Sequence, residues 1–242
     1  MAEHKILIAG GGTGGHLFPA LAIGEEIHHR EPGAKIHYVG SNFGLEAKVF
    51  PVKDVWHTLL PIRGFQRGIS LQSLGRNSLL PVRIIRSMLK IRSLMNEFLP
   101  QVVVGTGGYA SALPLYMASK KNNPLPIILQ EQNSYPGMTT RWFADKAKTI
   151  CVAFNDANTH LESDTVLTGN PVRHGIADGN PQRGFKEFKL AEDHKTIFLF
   201  GGSQGSAYLN KMMSQVVANI AGAGLQILWQ TGDLESMKYR SM

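Results

Sequence analysis

The chain has 242 residues, of which 43% are hydrophobic and 18% charged, a balance that excludes a disordered protein and suffices for one large or two modest domains. Its formal net charge of +7 favours anionic partners such as phosphorylated metabolites, nucleic acid or an anionic membrane surface, although ordinary solubility charge explains it equally well. The chain has a single cysteine, Cys151, which excludes an internal disulfide. It has no apolar run long enough for a transmembrane helix and no leader before the first predicted strand. We therefore expect a cytoplasmic protein.

The first forty residues alternate between strand, loop and helix patterns. The apolar run at 5–9 predicts a buried parallel strand, and the glycine-rich residues 10–15 predict a loop. An amphipathic pattern at 18–30 predicts a helix, and residues 35–39 predict a second strand. This order is typical of an α/β fold with a doubly wound parallel sheet.

Similar units follow along the chain. Strands are predicted at 55–60, 101–104, 126–129, 149–153 and 165–167, and helices at 78–98, 111–120 and 139–147. The last of the strands leads into the motif at 169–173, so we expect a first Rossmann-like domain at 1–173.

The remaining residues predict a second, incomplete domain. The stretch 174–194 is polar, with Gly, Pro and mixed charges, and predicts a linker. A strand at 195–200, a helix at 207–220 and a strand at 226–230 then open a second β–loop–α–β unit at 195–242. One such unit leaves much apolar surface uncovered, so we expect a truncated second domain.

Three glycine-rich loops follow predicted strands, at 10–15, 105–109 and 201–205. The first matches the spacing G-x-G-x-x-G and directs backbone N–H groups and a helix N-terminus towards an anion. A dinucleotide enzyme is disfavoured, because the second strand ends in Val39-Gly40-Ser41 without the carboxylate that would hold a ribose. Several such loops suggest ligands with phosphate groups, the alternative being tight turns between strands and helices.

Five motifs occur in a characteristic order. They are Gly-Gly-Thr-Gly-Gly-His at 11–16 with Phe18-Pro19, Gly-Gly-Tyr at 107–109, Glu-Gln-Asn at 131–133, Gly-Asn-Pro-Val-Arg at 169–173 and Gly-Gly-Ser-Gln-Gly at 201–205. Together they resemble the MurG family of bacterial N-acetylglucosaminyltransferases, in the GT-B glycosyltransferase class. The resemblance runs over essentially the whole chain.

The resemblance implies a fold and an activity. It implies two Rossmann-like domains facing each other across a cleft, the first for a lipid acceptor and the second for UDP-N-acetylglucosamine. The implied reaction links N-acetylglucosamine to the C4 hydroxyl of the muramoyl sugar of lipid I, with inversion, and gives lipid II for peptidoglycan synthesis. This activity serves cell-wall biogenesis and, through it, cell shape and division. No cofactor is implied, and no D-x-D metal motif is present.

The resemblance also implies residue roles. His16 matches the candidate base for the acceptor hydroxyl, its alternative being a histidine that only hydrogen-bonds phosphate. Glu131 is a second candidate for proton handling, its equal alternative being a structural carboxylate that caps a neighbouring loop. The implied substrate contacts are Thr13, Gly14 and Gly15 to the donor sugar, Gly107, Gly108 and Tyr109 to the acceptor pyrophosphate, Asn133 to the transferred sugar, and Arg173, Ser203 and Gln204 to the nucleotide diphosphate.

Two departures from the family are visible. The family usually has His before Glu-Gln-Asn, where this chain has Gln130. The family's C-terminal part, with its uracil and ribose contacts, has no counterpart here. We therefore expect this chain to bind the donor poorly and to turn over slowly or not at all.

Seven basic residues and no acidic residue lie between Arg63 and Arg92, with apolar residues interleaved. This pattern predicts an amphipathic segment on an anionic membrane surface, with apolar contacts from Leu79, Leu80, Ile85 and Met88. The alternative is a core helix with a solvated basic face. Nucleic acid is not expected as a partner, because no aromatic-rich recognition motif accompanies the charges.

Three functions remain open on the sequence. The first is a peripheral glycosyltransferase at the cytoplasmic face of the plasma membrane. The second is another UDP-sugar enzyme of GT-B or epimerase-like type. The third is a protein that binds lipid-linked pyrophosphate without catalysis.

Overall fold

The computed structural model of the chain describes residues 4–64, 78–120, 122–202, 205–232 and 236–239. The chain divides into two compact units, Met1–Ile176 and Ala177–Met242. None of the described helices combines the length and apolar character needed to traverse a lipid bilayer.

The first unit is built on a parallel sheet of seven strands within the described residues, in the order β3-β2-β1-β4-β5-β6-β7. The strands are β1 (Lys5–Ala9), β2 (Lys35–Ser41), β3 (His57–Leu60), β4 (Val102–Gly105), β5 (Ile127–Glu131), β6 (Thr149–Val152) and β7 (Thr165–Leu167). The chain starts at the centre of the sheet, fills one side through β3 and then crosses to the other at β4. The predicted doubly wound parallel sheet is confirmed.

Helices cover both faces of this sheet. They are α1 (Gly14–Arg30), α2 (Glu46–Val52), α3 (Leu80–Phe98), α4 (Tyr109–Ser119) and α5 (Met138–Phe143), with short 3-10 turns at Ala144–Lys146 and Asn155–His160. Leu17 and Leu21 of α1 and Phe50 of α2 pack with Ile6 and Ile8 on one face. On the other face, α3 and α4 pack on the alternate residues of the strands. That cluster includes Leu7, Ala9, Ile91, Met95, Val103 and Leu115.

Three helices in this unit differ clearly from the sequence expectation. The helix predicted at 139–147 is α5 only as far as Phe143 and continues as the 3-10 turn at Ala144–Lys146. Helix α1 begins at Gly14 rather than at residue 18, because Thr13 is extended and its carbonyl already accepts from the N–H groups of His16 and Leu17. Helix α2 was not predicted, because seven residues ending beside Pro51 carry too little apolar periodicity to signal a helix.

The second unit contains a pair of parallel strands, β8 (Thr196–Phe200) and β9 (Gln226–Gln230), joined through α7 (Ala207–Gly222). The predicted strand–helix–strand order is present. Helix α6 (Pro181–Phe188), however, lies inside the segment 174–194 that was predicted as a linker. The side chain of Asn180 caps its start by accepting from the N–H of Arg183 at 3.1 Å, and Pro181 occupies the first helical position. This start signal is present in the sequence, but the polar composition of the segment favoured a linker. The described residues of this unit end with the short helix α8 (Ser236–Tyr239).

A buried histidine lies in the sheet away from the glycine loops. His37 of β2 is 3% exposed, contacts Thr58 Oγ1 through Nε2 at 2.8 Å, and packs between the rings of Trp56 and Phe98. Burial, with a smaller effect of nearby His57, lowers the pKa of His37 to about 4 from an ordinary value of 6.5.

We expect His37 to make the first unit sensitive to acid. Below pH 6.5 the unfolded chain binds a proton at this residue, whereas the folded chain does not until about pH 4. The free energy of unfolding should therefore fall by up to about 3 kcal/mol as the pH drops from 6.5 to 4. Urea unfolding at a series of pH values measures this slope, and His37→Gln should flatten it. An equal slope in the variant would assign the acid sensitivity to other groups.

Candidate functional site

The first two glycine loops meet at the carboxyl ends of the neighbouring strands β1 and β4. The hydroxyl of Thr106 donates to the carbonyl of His16 at 2.7 Å, which ties the second loop to α1. Gly108 has a φ of 77°, and a Cβ added to it would lie 2.1 Å from the carbonyl oxygen of Gly11. Only glycine allows the two loops to approach this closely.

Replacing Gly108 with alanine should therefore disrupt this junction. The positive φ and the backbone overlap together should cost about 3 kcal/mol in the free energy of unfolding. Gly33→Ala is a matched control, because a Cβ there meets no heavy atom within 4 Å. Urea unfolding of both variants tests this, and equal stability of the two would contradict the proposed close approach.

His16 lies in the first turn of α1 with its ring fixed from one side. Its Nδ1 lies 3.0 Å from the carbonyl oxygen of Thr106 and 2.9 Å from Oε1 of Gln132. A carbonyl oxygen only accepts hydrogen bonds, so Nδ1 of the neutral ring carries the proton and Nε2 carries the lone pair. The arrangement can therefore accept a proton at Nε2.

Two glutamines support this histidine. Nε2 of Gln132 donates to the carbonyl of Thr106 at 2.8 Å and to that of Gln130 at 3.1 Å, which directs its Oε1 at His16. The side chain of Gln130 is buried, and its Oε1 also accepts from Gln132. Gln130 occupies the position where the resembling family usually has histidine, and here it orients Gln132 rather than contacting His16.

Glu46 is a site residue that the sequence analysis missed. Its fully buried carboxylate accepts from the N–H of Gly12 at 2.9 Å and from that of Ser41 at 2.7 Å. A Cβ added at Gly11, Gly40 or Gly44 would overlap its side chain, and this density of glycines before residue 46 is the signal that could have pointed to it. Glu46 thus shapes the first loop from beneath.

This carboxylate changes the expected role of the first loop. The N–H of Gly12 donates to the carboxylate of Glu46, so it is not available to an anionic ligand. Helix α1 has no side-chain cap at Thr13, which leaves the N–H groups of Gly14 and Gly15 in its first turn for that purpose.

Glu131 is 2% exposed and holds a loop. One carboxylate oxygen accepts from the backbone N–H and the side-chain amide of Asn133, at 3.1 and 2.9 Å. The other accepts from the N–H of Gly137 at 2.9 Å and from the hydroxyl of Thr140 at 2.6 Å. Four donors occupy the carboxylate, an arrangement that favours the alternative of a structural cap over proton handling.

The remaining predicted contacts lie around the same strand ends. Asn133 is exposed, with its amide nitrogen fixed by Glu131. The side-chain amide of Asn170 donates to the carbonyl of Gln132 at 3.4 Å, which places the segment 169–173 beside β5. The guanidinium of Arg173 lies 5.1 Å from the ring centroid of Phe18 on α1. Ser203 and Gln204 lie outside the described residues.

A cavity of about 420 Å³ extends from His16 towards α3. Its lining includes His16, Arg63, Leu80, Ile84, Tyr109 and Trp142. The ring of Tyr109 lies against the glycine loop, and burial raises the pKa of its hydroxyl. The lining thus includes His16, whose neutral ring can accept a proton, together with apolar side chains. A larger apolar cavity of about 1230 Å³ in the second unit has none of the predicted site residues among its described lining.

Helix α3 exposes apolar side chains along its first half. Of the four residues predicted to contact a membrane, Leu79, just before the helix, and Ile85 are exposed, at 51% and 58%. Leu80 and Met88 are partly buried, whereas Val82 and Leu89 are exposed and were not among the predicted contacts. The exposed apolar face of α3 therefore consists of Leu79, Val82, Ile85 and Leu89.

Comparison with known proteins places the chain in a family. The model of the glycosyltransferase family 28 N-terminal domain matches residues 6–152. A Flavobacterium psychrophilum protein is 37% identical over 99% of this chain and 65% of its own length, and a Bacteroides thetaiotaomicron protein is 40% identical over 95% and 61%. Both are named UDP-N-acetylglucosamine–N-acetylmuramyl-(pentapeptide) pyrophosphoryl-undecaprenol N-acetylglucosamine transferase.

A solved structure shares the fold. Acinetobacter baumannii MurG superposes with a TM-score of 0.64 at 21% identity, over 99% of this chain and 63% of that one. The chain thus spans less than two thirds of the length of each of these three proteins. The parallel sheet with its glycine loops, the match over residues 6–152 and the two close relatives agree, and the chain belongs to glycosyltransferase family 28.

Proposed function

We propose that this chain carries the acceptor side of an inverting N-acetylglucosaminyltransferase. In the proposed reaction, N-acetylglucosamine passes from UDP-N-acetylglucosamine to the C4 hydroxyl of the muramoyl sugar of lipid I, giving lipid II and UDP. The observation that carries the proposal is the His16 imidazole, which holds its proton at Nδ1 and offers Nε2 where the first two glycine loops meet.

His16 acts as the general base in this proposal. The acceptor oxygen forms a bond to the anomeric carbon of the donor while the bond from that carbon to UDP breaks. The hydroxyl proton passes to Nε2 of His16, and the oxygens of Thr106 and Gln132 stabilise the charged ring through Nδ1. Attack opposite to the leaving group inverts the anomeric carbon.

Backbone donors and two arginines serve the phosphate groups. The uncapped N-terminus of α1 presents Gly14 and Gly15 to an anion, and Arg173, from the segment after β7, lies against this helix with its guanidinium over the ring of Phe18. Arg63 lines the cavity near His16 and suits the pyrophosphate of the acceptor. Glu131 fixes the side-chain amide of Asn133, and in this proposal Asn133 hydrogen-bonds the transferred sugar. Ser203 and Gln204 are further proposed contacts to the nucleotide diphosphate.

An assay of the chain itself tests the proposal. A soluble lipid I analogue is titrated against the chain, and transfer from labelled UDP-N-acetylglucosamine is followed under single-turnover conditions. We expect saturable binding of the analogue and formation of the β-1,4-linked disaccharide at a low rate. Absence of analogue binding would overturn the acceptor role. Conversion of the UDP-sugar to an epimer without any acceptor would support the epimerase-like alternative instead.

The exposed apolar face of α3 suits contact with the membrane that holds a lipid-linked acceptor. Arg86 and Lys90 are exposed on the same helix, so apolar insertion and attraction to anionic lipids can act together. The cavity that contains His16 is also lined by Leu80 and Ile84 of this helix. We place the protein at the cytoplasmic face of the plasma membrane, as a peripheral protein.

Changing Leu79, Val82, Ile85 and Leu89 together to serine should weaken vesicle binding. The lost apolar burial amounts to about 2–4 kcal/mol, which corresponds to at least about tenfold weaker partitioning. Flotation with vesicles that contain anionic phospholipid measures the effect. Serine at the exposed Tyr208, Met212 and Val216 of α7 is the matched control and should leave binding unchanged. Equal loss in both variants would show that the contact is not specific to α3.

A further inference from the structure

Three side chains that commonly bind metals meet near the C-terminal end of α1. Oε2 of Glu26 lies 2.7 Å from Nε2 of His174, and the ring centroids of His29 and His174 are 5.3 Å apart. One potential ligand atom from each residue lies within 4.8 Å of the other two, and no other group of three such residues meets this criterion in the described part of the chain. His29 lies thirteen residues along α1 from His16, or about 20 Å, so this cluster is separate from the proposed base.

The fold brings these residues together from distant parts of the sequence. Glu26 and His29 are three residues apart on α1 and therefore share a helix face. His174 follows β7 and reaches this face because its segment lies along α1, where the neighbouring Arg173 packs over Phe18. The cluster thus joins the first helix of the unit to the segment that ends it.

We propose that Glu26, His29 and His174 bind a divalent transition-metal ion, with Zn²⁺ as its best match. Two imidazoles and one carboxylate form a donor set that suits Zn²⁺, with water in the fourth position. Arg30 donates to Oε1 of Glu26, so Oε2, which faces His174, is the oxygen that binds the ion. The ion takes the place of the contact between Oε2 of Glu26 and Nε2 of His174, and the three side chains close around it by rotation at the surface.

A bound ion would connect α1 with the segment after β7. Both imidazoles are exposed, so the ion reaches them from solvent without opening the core. Because the folded chain alone holds the three ligands together, binding should raise the thermal stability of the first unit. It would also hold Arg173 against α1. The site does not depend on the proposed transferase activity.

Calorimetric titration of the tag-free, chelator-treated full chain with ZnCl₂ tests the site, with thermal unfolding followed in parallel. We expect saturable binding of one ion per chain and a rise in Tm with added Zn²⁺. His29→Ala and His174→Ala should each lose both effects. His28→Ala is the matched control, because His28 is an exposed histidine on the same helix outside the cluster, and it should keep both.

Two results would overturn the proposal. One is a wild-type chain that shows no saturable Zn²⁺ binding. The other is a His29→Ala/His174→Ala double variant that binds Zn²⁺ as tightly as the wild type, which would place the ion elsewhere. Circular dichroism of each variant establishes that the fold is retained, so that a loss of binding reports on the ligands themselves.

Discussion

Replacing Glu46 with alanine is expected to destabilise the first unit by about 3–5 kcal/mol. The change leaves the N–H groups of Gly12 and Ser41 without their acceptor, and an unsatisfied buried donor costs about 1–3 kcal/mol. It also leaves a cavity beneath Gly11, Gly40 and Gly44, which have no side chains to fill it. Relief of the desolvation of the carboxylate offsets only part of this loss.

Urea unfolding measures the effect of Glu46→Ala. Glu25→Ala is the matched control, because Glu25 forms a surface ion pair with Lys53 at 3.1 Å and should contribute less than about 1 kcal/mol. Glu46→Gln keeps the shape and one acceptor oxygen, so its stability should lie between those of the wild type and the alanine variant. If Glu46→Ala costs no more than the Glu25 control, the carboxylate does not hold the first loop.

Replacing His16 with alanine is expected to lower the rate of transfer to the lipid I analogue by about 10²–10⁴-fold, the usual effect of losing a general base. Single-turnover kinetics with saturating donor and excess chain measure this directly. Binding of the acceptor analogue should change much less, because the backbone of the glycine loops remains. His28→Ala, an exposed histidine on the same helix, should react at the wild-type rate. An unchanged rate in His16→Ala would exclude this residue as the base.

The role of Gln132 can be separated from that of His16 by a spectroscopic measurement. The ¹⁵N shifts of the His16 ring should report a proton at Nδ1, because two oxygens lie at hydrogen-bond distance from it. In Gln132→Leu the carbonyl of Thr106 alone remains, so the ring should be less firmly oriented and the Nε2–H tautomer more populated. A wild-type ring protonated at Nε2 would contradict the proposed proton acceptor.

The sheet is the part of the fold that follows most directly from the sequence. Short apolar runs that end in glycine predict buried parallel strands, and β1, which is followed by Gly10, has the predicted bounds and is largely buried. Helix ends were less predictable. Gly14 and Gly15 indicate a loop by propensity, yet they begin α1, because Leu17 packs in the core and the carbonyl of the extended Thr13 accepts the first intrahelical hydrogen bonds.

The candidate site was predictable in its position but not in its contacts. Motif order placed His16 and Glu131 at strand ends, where ligands of such sheets bind. The motif order did not predict the four hydrogen-bond donors to the carboxylate of Glu131, which come from residues up to nine positions further along the chain. Nor did it indicate Glu46, since a single glutamate in a short helix resembles any surface residue.

By itself, the sequence determined the α/β class, the parallel sheet, the glycine loops and the family, because these depend on local patterns of residue type along the chain. Only the tertiary structure decided which hydrogen-bond partners those residues have. It set the proton position on His16 through Gln132, the burial of Glu46 and the meeting of His174 with α1. Such contacts join residues far apart in the chain, and their distances follow from how strands and helices pack rather than from any local pattern.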